Sequence, residues 1–501
     1  MACVEEAKVV ESCMAEEVNS KVVDCCIMEE VKVVECCIME EVRVVECCMV
    51  TPSEETPRHG LWLSPLDLVM VNRGHTPTVY FYRSASDDGF FDVARLKAAM
   101  AKALVPFYPL AGRLGVDGDG RPEIDCTRQG ARFVVARSDL AADDFSAREP
   151  SPELRRLFVP RDIDDVMLAV QVTFFRCGGV ALGTALHHVA IDALSAFHFF
   201  QTWSAFSRDG AGDGAGAGAA TAALELPCHD RTLLRARSPP RVVNPDALSV
   251  FLPLKNDPSI PVLEPSGPAV NEIFVLSNDQ VVALKRAYGG ASTFCALSAR
   301  VWRCMCAARR LPPDAQTRLT FPANLRRSLR PPLPARYFGN GIILLGAACK
   351  VRDVVAAGSE DQAPLASVAG RIRDAVRGLD DELVRSTIDY LETAPTMPAA
   401  CSMPATELRI VSWLGMPVYD ADFGWGKPLV MQRAVQQRAG LVYLADNGGD
   451  GACESSCPNL PRLSRSSGAC WGPRSDAVQG DVLSSRSVTI WEMIPLPTHL
   501  T

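Results

Sequence analysis

Apolar residues recur along this chain in two rhythms. Residues 133–136, 169–175 and 342–345, dense in Val, Ile, Leu and Phe, read as strands. Residues 92–104, 194–206, 293–308 and 365–391 instead carry apolar positions at the three-to-four spacing of a helix with one buried face. Strands alternating with helices predict an α/β chain whose sheets are flanked by helices. Residues 210–223 are almost pure Gly and Ala and read as a surface loop. A polar, proline-rich stretch over residues 230–268 then carries the chain into its second half.

The two ends break this rhythm. Lys8-Val9-Val10-Glu11 returns as Lys21-Val22-Val23-Asp24, as Lys32-Val33-Val34-Glu35 and as Arg43-Val44-Val45-Glu46, and each of the last three copies is followed by a pair of cysteines. Only the last copy runs on into Thr51-Pro52-Ser53, so residues 1–42 read as duplicated copies of a first strand, forming an extension outside the folded part. Repeats this short cannot build a solenoid. Adjacent residues of a strand point to opposite faces, so a Cys-Cys pair cannot close on one metal ion while extended, and no metal site is expected. At the other end, residues 446–501 turn rich in Ser, Arg, Gly and Pro, and 454–486 read as disorder.

Composition narrows the function classes. The 501 residues suffice for two domains with separate cores, and 48% hydrophobic with 22% charged residues is ordinary for a soluble globular protein. A formal net charge of −8 argues against a nucleic-acid partner. No apolar run of about 18 residues suggests a membrane span, and the acidic first residues lack the pattern of a secretory signal. The expectation is a cytoplasmic monomer with its 19 cysteines as free thiols.

The candidate chemistry centres on His188-Val189-Ala190-Ile191-Asp192, which follows the strand-like run 180–186 and precedes the helical run 194–206. A histidine at a strand end, opening into a helix, can be held with one ring nitrogen facing a cavity and accept a proton near neutral pH. His187 competes for that role but should point the other way if the strand continues. A second signature, Asp422-Phe423-Gly424-Trp425-Gly426, stands in the second half.

In that order and separation, the two motifs resemble those of the plant acyl-CoA-dependent BAHD acyltransferases, over roughly residues 43–445. Within that family the chain is most similar to the hydroxycinnamoyl-CoA transferases. The closer likeness is carried by Leu61-Trp62-Leu63-Ser64-Pro65-Leu66-Asp67-Leu68, His75-Thr76-Pro77-Thr78-Val79-Tyr80-Phe81-Tyr82-Arg83 and Tyr108-Pro109-Leu110-Ala111-Gly112-Arg113. Asp230-Arg231-Thr232-Leu233-Leu234, Tyr337-Phe338-Gly339-Asn340 and Tyr419-Asp420-Ala421 extend it. The resemblance implies two chloramphenicol-acetyltransferase-like domains, with mixed sheets flanked by helices and a channel between them. They would span 43–229 and 269–445, joined by a crossover segment over 230–268. A last strand and a closing helix usual in the family are not visible in 446–501, which has the character of a shifted reading frame or a retained intron.

The resemblance also implies roles. His188 would be the general base for acyl transfer from a CoA thioester, with acyl-CoA as co-substrate and no bound cofactor. Asp192 would pair with Arg326 rather than with the base. Ala193, where the family usually has glycine, would crowd that turn. Trp413 would aim its indole N–H at the developing oxyanion, a donor worth roughly 3 kcal/mol. Asp422, Phe423, Gly424, Trp425 and Gly426 would form a structural lock. Ser292, Arg300 and Arg303, with Arg309 and Arg310, occupy the region that contacts CoA in relatives. The arginine that holds an acceptor carboxylate in shikimate-using relatives falls on Pro404, and a neighbouring threonine falls on Val411. That predicts a neutral polyol or an amine as acceptor rather than shikimate. The alternative reading is a defective relative that only binds acyl-CoA, or the unstable product of an altered gene.

Overall fold

The computed structural model describes residues 42–83, 89–140, 151–209, 225–243, 245–252, 254, 269–355, 363–394, 404–434, 440–446 and 488–495. The extension expected over residues 1–42, except its last residue, lies outside them, as do the Gly/Ala segment 210–223 and the stretch 454–486.

Fifteen strands are described: β1 Val42–Val50, β2 Gly60–Trp62, β3 His75–Tyr82, β4 Arg113–Val116, β5 Pro122–Asp125, β6 Ala131–Ser138, β7 Leu168–Phe175, β8 Val180–His187, β9 Ala269–Leu276, β10 Gln316–Asn324, β11 Ile342–Lys350, β12 Glu407–Ser412, β13 Val430–Arg433, β14 Leu441–Asp446 and β15 Val488–Pro495. They build one six-stranded sheet in the order β1-β6-β7-β8-β3-β13 and a second in the order β11-β10-β12-β14-β15-β9, beside a small sheet β2-β5-β4. Parallel and antiparallel pairs mix in both large sheets. The expected α/β architecture of two helix-flanked mixed sheets is therefore present.

The described helices are α1 Pro65–Leu68, α2 Val93–Ala103, α3 Pro152–Phe158, α4 Ala193–Asp209, α5 Asn278–Ala287, α6 Thr293–Ala308, α7 Val351–Val355, α8 Ala363–Arg377 and α9 Asp381–Thr393. In the first core Leu96 and Met100 of α2 meet Phe199 and Trp203 of α4 over Val170 and Leu182 of the sheet. A smaller cluster packs α3, through Leu154 and Phe158, on Val79, Phe81 and Ala181 of that sheet. In the second, Trp302 and Met305 of α6 join Ile372 of α8 over Leu319 and Leu408.

Three expectations need correction. The single helix read over 365–391 is two, because the chain turns at Gly378 and Asp380 caps α9 by accepting from the Leu383 N–H. The clean division between halves fails: β13, from the C-terminal half, pairs antiparallel with β3 as the edge of the first sheet. The tail does supply a strand, since β15 pairs antiparallel with β14 on one side and β9 on the other. The first three residues of its β-branched and aromatic run, Val488-Thr489-Ile490-Trp491, oppose the ladder of Asp446, Ala445 and Leu444.

Gly183, in the middle of β8, marks how closely α3 approaches the sheet. A Cβ there would stand 1.7 Å from the Phe158 carbonyl oxygen at the end of α3. Gly183→Ala is expected to destabilise the fold by about 1–3 kcal/mol through this overpacking, read as a lower urea midpoint. An unchanged midpoint would mean that α3 does not press on β8.

Candidate active site

A cavity of about 350 Å³ opens between the two large sheets, within the usual size range of small-molecule sites. On β3 the alternate residues Thr76, Thr78 and Tyr80 face it, while Val79 and Phe81 point into the core behind. Phe197 and Phe200 of α4 add aromatic surface, and Val411 and Trp413 close it from the second sheet.

His188 follows the last residue of β8 and forms part of the cavity wall. Its backbone N–H donates to the Gly74 carbonyl at 2.9 Å, and among the described residues its Nδ1 has no hydrogen-bond partner. Burial, followed by the charge of Arg73, pushes the imidazole down to about 4, so it stands neutral at cellular pH. His187 turns away, as strand alternation predicts. Its Nδ1 accepts from the Val189 N–H, and its ring lies edge-on to His75 at 5.0 Å, outside the cavity lining. His75 reaches the wall too, but its Nε2 is bonded to the Val166 carbonyl at 2.7 Å.

The turn after His188 is tied down from both halves of the chain. Asn340 Nδ2 donates to the His188 carbonyl at 2.9 Å and to Asp67 Oδ1 at the same distance. Arg231 donates to the Ala190 carbonyl at 2.7 Å and pairs with Asp67 at 3.1 Å, both side chains almost wholly buried. Asp67 also closes the capping box of α1 with Ser64. These residues sit in the matched segments of the sequence, but nothing local to them signals that they converge.

Asp192 does not touch His188's ring nitrogens. Arg326 grips its carboxylate with two hydrogen bonds, of 2.7 and 3.1 Å, and the backbone N–H groups of Ser195 and Gly341 supply two more at 3.0 Å. This saturated pair bolts the start of α4 to the segment after β10. Ala193 is the first residue of α4, has no positive φ and lies at the cavity wall.

The Transferase family profile matches residues 40–454 of this chain. Putrescine hydroxycinnamoyltransferase 1 of Oryza sativa subsp. japonica is 48% identical over 425 residues, spanning 80% of this chain and 92% of that protein. The chain belongs to the BAHD transferase family. Shikimate O-hydroxycinnamoyltransferase of Nicotiana tabacum is 40% identical, over 79% of this chain and 91% of its own. The crystal structure of vinorine synthase shares the fold with a TM-score of 0.62 at 24% identity, covering 91% of this chain and 95% of that one.

As a BAHD transferase the protein is an acyl-CoA-dependent acyltransferase, and its other motif residues can be placed accordingly. Trp413 is almost buried at the wall, edge-on to Phe197 at 6.1 Å and 5.3 Å from the Tyr443 ring. The Asp422–Gly426 stretch lies away from the cavity. Asp422 Oδ1 accepts from the N–H groups of Gly424 and Gly426, whose φ values of 103° and 97° suit glycine. Phe423 inserts against Trp203 at 4.6 Å, and Trp425 stacks on Phe91 with the Arg95 guanidinium 3.5 Å from its ring centroid. The motif thereby fastens the C-terminal half onto α2 and α4.

The residues considered for CoA lie elsewhere. Ser292 caps α6, its hydroxyl accepting from the Cys295 N–H at 3.2 Å, and Arg300 and Arg303 sit on that helix outside the cavity lining. Arg309 donates to the Ala405 carbonyl at 2.6 Å. Val411 does line the cavity and Pro404 does not, but Arg73, Arg409 and Arg433 all do.

Proposed function

We propose that this transferase moves a hydroxycinnamoyl or related aromatic acyl group from its CoA thioester to an acceptor hydroxyl or amine, with His188 as general base. The observation that carries the reading is His188 itself. It is a neutral imidazole on the wall of an inter-sheet cavity, on a turn that Asn340 and Arg231 hold in place. The aromatic wall of Phe197 and Phe200 suits a planar acyl group, and the relatives named above act with hydroxycinnamoyl groups.

In the proposed reaction the acceptor oxygen or nitrogen attacks the thioester carbonyl carbon while His188 takes its proton. The tetrahedral oxyanion collapses, the carbon–sulfur bond breaks, and the imidazolium returns the proton to the CoA thiolate. Trp413 stands on the same wall, where an indole N–H can meet the oxyanion. Asp192 acts by holding the turn, not by moving a proton.

The depressed histidine sets a pH dependence. Its base form is lost only as pH falls through about 4, well below the ordinary value of 6.5. With an acceptor hydroxyl that does not titrate, kcat/KM should stay level from pH 8 to about 5 and decline below that. An acid limb centred near the ordinary histidine value would contradict the assignment of His188 as the titrating base. An amine acceptor adds its own titration, because only the free base has a lone pair to attack with.

A further inference from the structure

Among the described residues β1 is an edge strand, and its grip on the fold is light. Arg43 to Cys47 and Met49 are all exposed. Toward the interior it offers Val50, buried in the first core, and Cys48, packed against that core. Val42 packs against the smaller cluster, and Glu46 pairs with Lys97 of α2. The strand runs antiparallel along β6 from Val42 opposite Ser138 to Val50 opposite Ala131, with a bulge at Val45. The chain just beyond it is held more firmly. The Ser53 N–H donates to the Ala101 carbonyl at 3.0 Å, and Arg128 donates to the Glu54 carbonyl at 2.9 Å.

Residues 31–39 repeat the interior features of β1 eleven positions earlier in the chain. Val31, Glu35 and Cys37 are identical to Val42, Glu46 and Cys48, and Met39 stands where Val50 does. Val33-Val34 likewise repeats Val44-Val45, the residues that straddle the bulge. The earlier copy 20–28 fits less well, with Ser20 in place of Val42 and the shorter Asp24 in place of Glu46.

Only Glu40-Glu41 separates residues 31–39 from β1, and this pair argues against a hairpin of the two segments. A two-residue hairpin turn needs the positive φ that Gly, Asn or Asp supplies. The pairing it sets would also place Glu35 directly opposite Glu46, like charge against like charge. The two segments are therefore better suited to replace each other than to lie side by side.

We propose that residues 31–39 are a second, interchangeable first strand, able to take the slot beside β6 when residues 42–50 leave it. In the exchanged register Glu35 meets Lys97, Cys37 and Met39 face the first core, and residues 40–50 loop out between Met39 and Thr51. The anchor at Ser53 stays in place. The exchange is feasible because the cost of closing a loop grows only with the logarithm of its length. A segment tethered this near also competes for the slot at an effective concentration no second molecule matches. The strands β6 and β7 separate the slot from β8, so the turn that carries His188 is left as it was.

The experiment is a disulfide trap in the full chain. Val134 of β6 lies directly opposite Cys47, and the exchanged register would put Cys36 there instead. Opposed residues of antiparallel strands stand about 4.5–5.5 Å apart at Cα, within reach of a disulfide. Val134→Cys is oxidised mildly and digested with trypsin, which cuts after Lys32 and Arg43 and so leaves Cys36 and Cys47 on different peptides. The expected result is a main link to Cys47 with a minor link to Cys36 in the same molecule. Adding Val50→Asp puts a carboxylate into the core position and should raise the ratio of Cys36 to Cys47 links by at least about 10-fold. Without the engineered cysteine, Val50→Asp should melt close to the parent and keep its kcat/KM, whereas Val50→Asp with Met39→Asp should melt clearly lower. The cross-link needs no turnover, so it stands apart from the acyl-transfer reading. The proposal is overturned if the link stays at Cys47 alone when Val50→Asp is added, moves to Cys25, or forms only between two molecules. It is equally overturned if Val50→Asp fails to fold or melts as low as the double variant.

Discussion

His188→Ala is expected to lower kcat roughly 100-fold or more while binding of the thioester changes little. The imidazole lies on the cavity wall, where the other histidine among the described residues, His75, is held by its Nε2–H on the Val166 carbonyl. His187→Ala should be far milder, because that ring packs behind the sheet against His75. Thermal shifts with p-coumaroyl-CoA separate binding from turnover. A ligand at about 100 times its dissociation constant stabilises a fold by roughly 2.7 kcal/mol, and the shift should survive in His188→Ala. Equal losses of rate in the two histidine variants would sink the assignment.

The largest effect on stability is expected at the Asp192–Arg326 pair. Removing one partner leaves a buried charge unmet and costs about 3–5 kcal/mol. Asp192→Asn retains part of the hydrogen bonding and should be less severe than Arg326→Met, which strands the carboxylate between two backbone N–H groups. The double variant should cost less than the sum, since both single changes break one interaction. Additive losses in denaturant titrations would show that the pair does not act as a unit. Activity should fall with stability and not with the pH profile, because Asp192 holds the turn rather than exchanging protons.

Much of the fold was legible because it is locally encoded. The faces of α2, α4 and α6 follow from apolar spacing, and their observed ends lie within three residues of the sequence reading. The break between α8 and α9 was masked by continuous apolar spacing through Gly378. His188 and Asp192 could be read because strand, turn and helix adjoin in sequence. The Asp67–Arg231–Asn340 network could not, because its members converge only through tertiary packing. Arg433 was missed for a similar reason: which way a strand residue points depends on the register of β13 against β3, and nothing in Met431-Gln432-Arg433 reveals a partner so distant. The position that matches the relatives' acceptor arginine is Pro404, whereas the cations that line the cavity come from β13, β12 and the segment before β3.

The place of β15 has a consequence for how the molecule is made. β9 is complete by residue 276 and β14 by residue 446, yet among the described residues the two are joined through 488–495. While the ribosome is still adding those residues, the growing polypeptide carries an open edge on β14 and a β9 with no sheet to join. Unpaired edges of this kind invite pairing with other chains, and sheets closed by distant segments assemble slowly. Closure of the second sheet therefore waits on a segment that is translated well after both strands it joins.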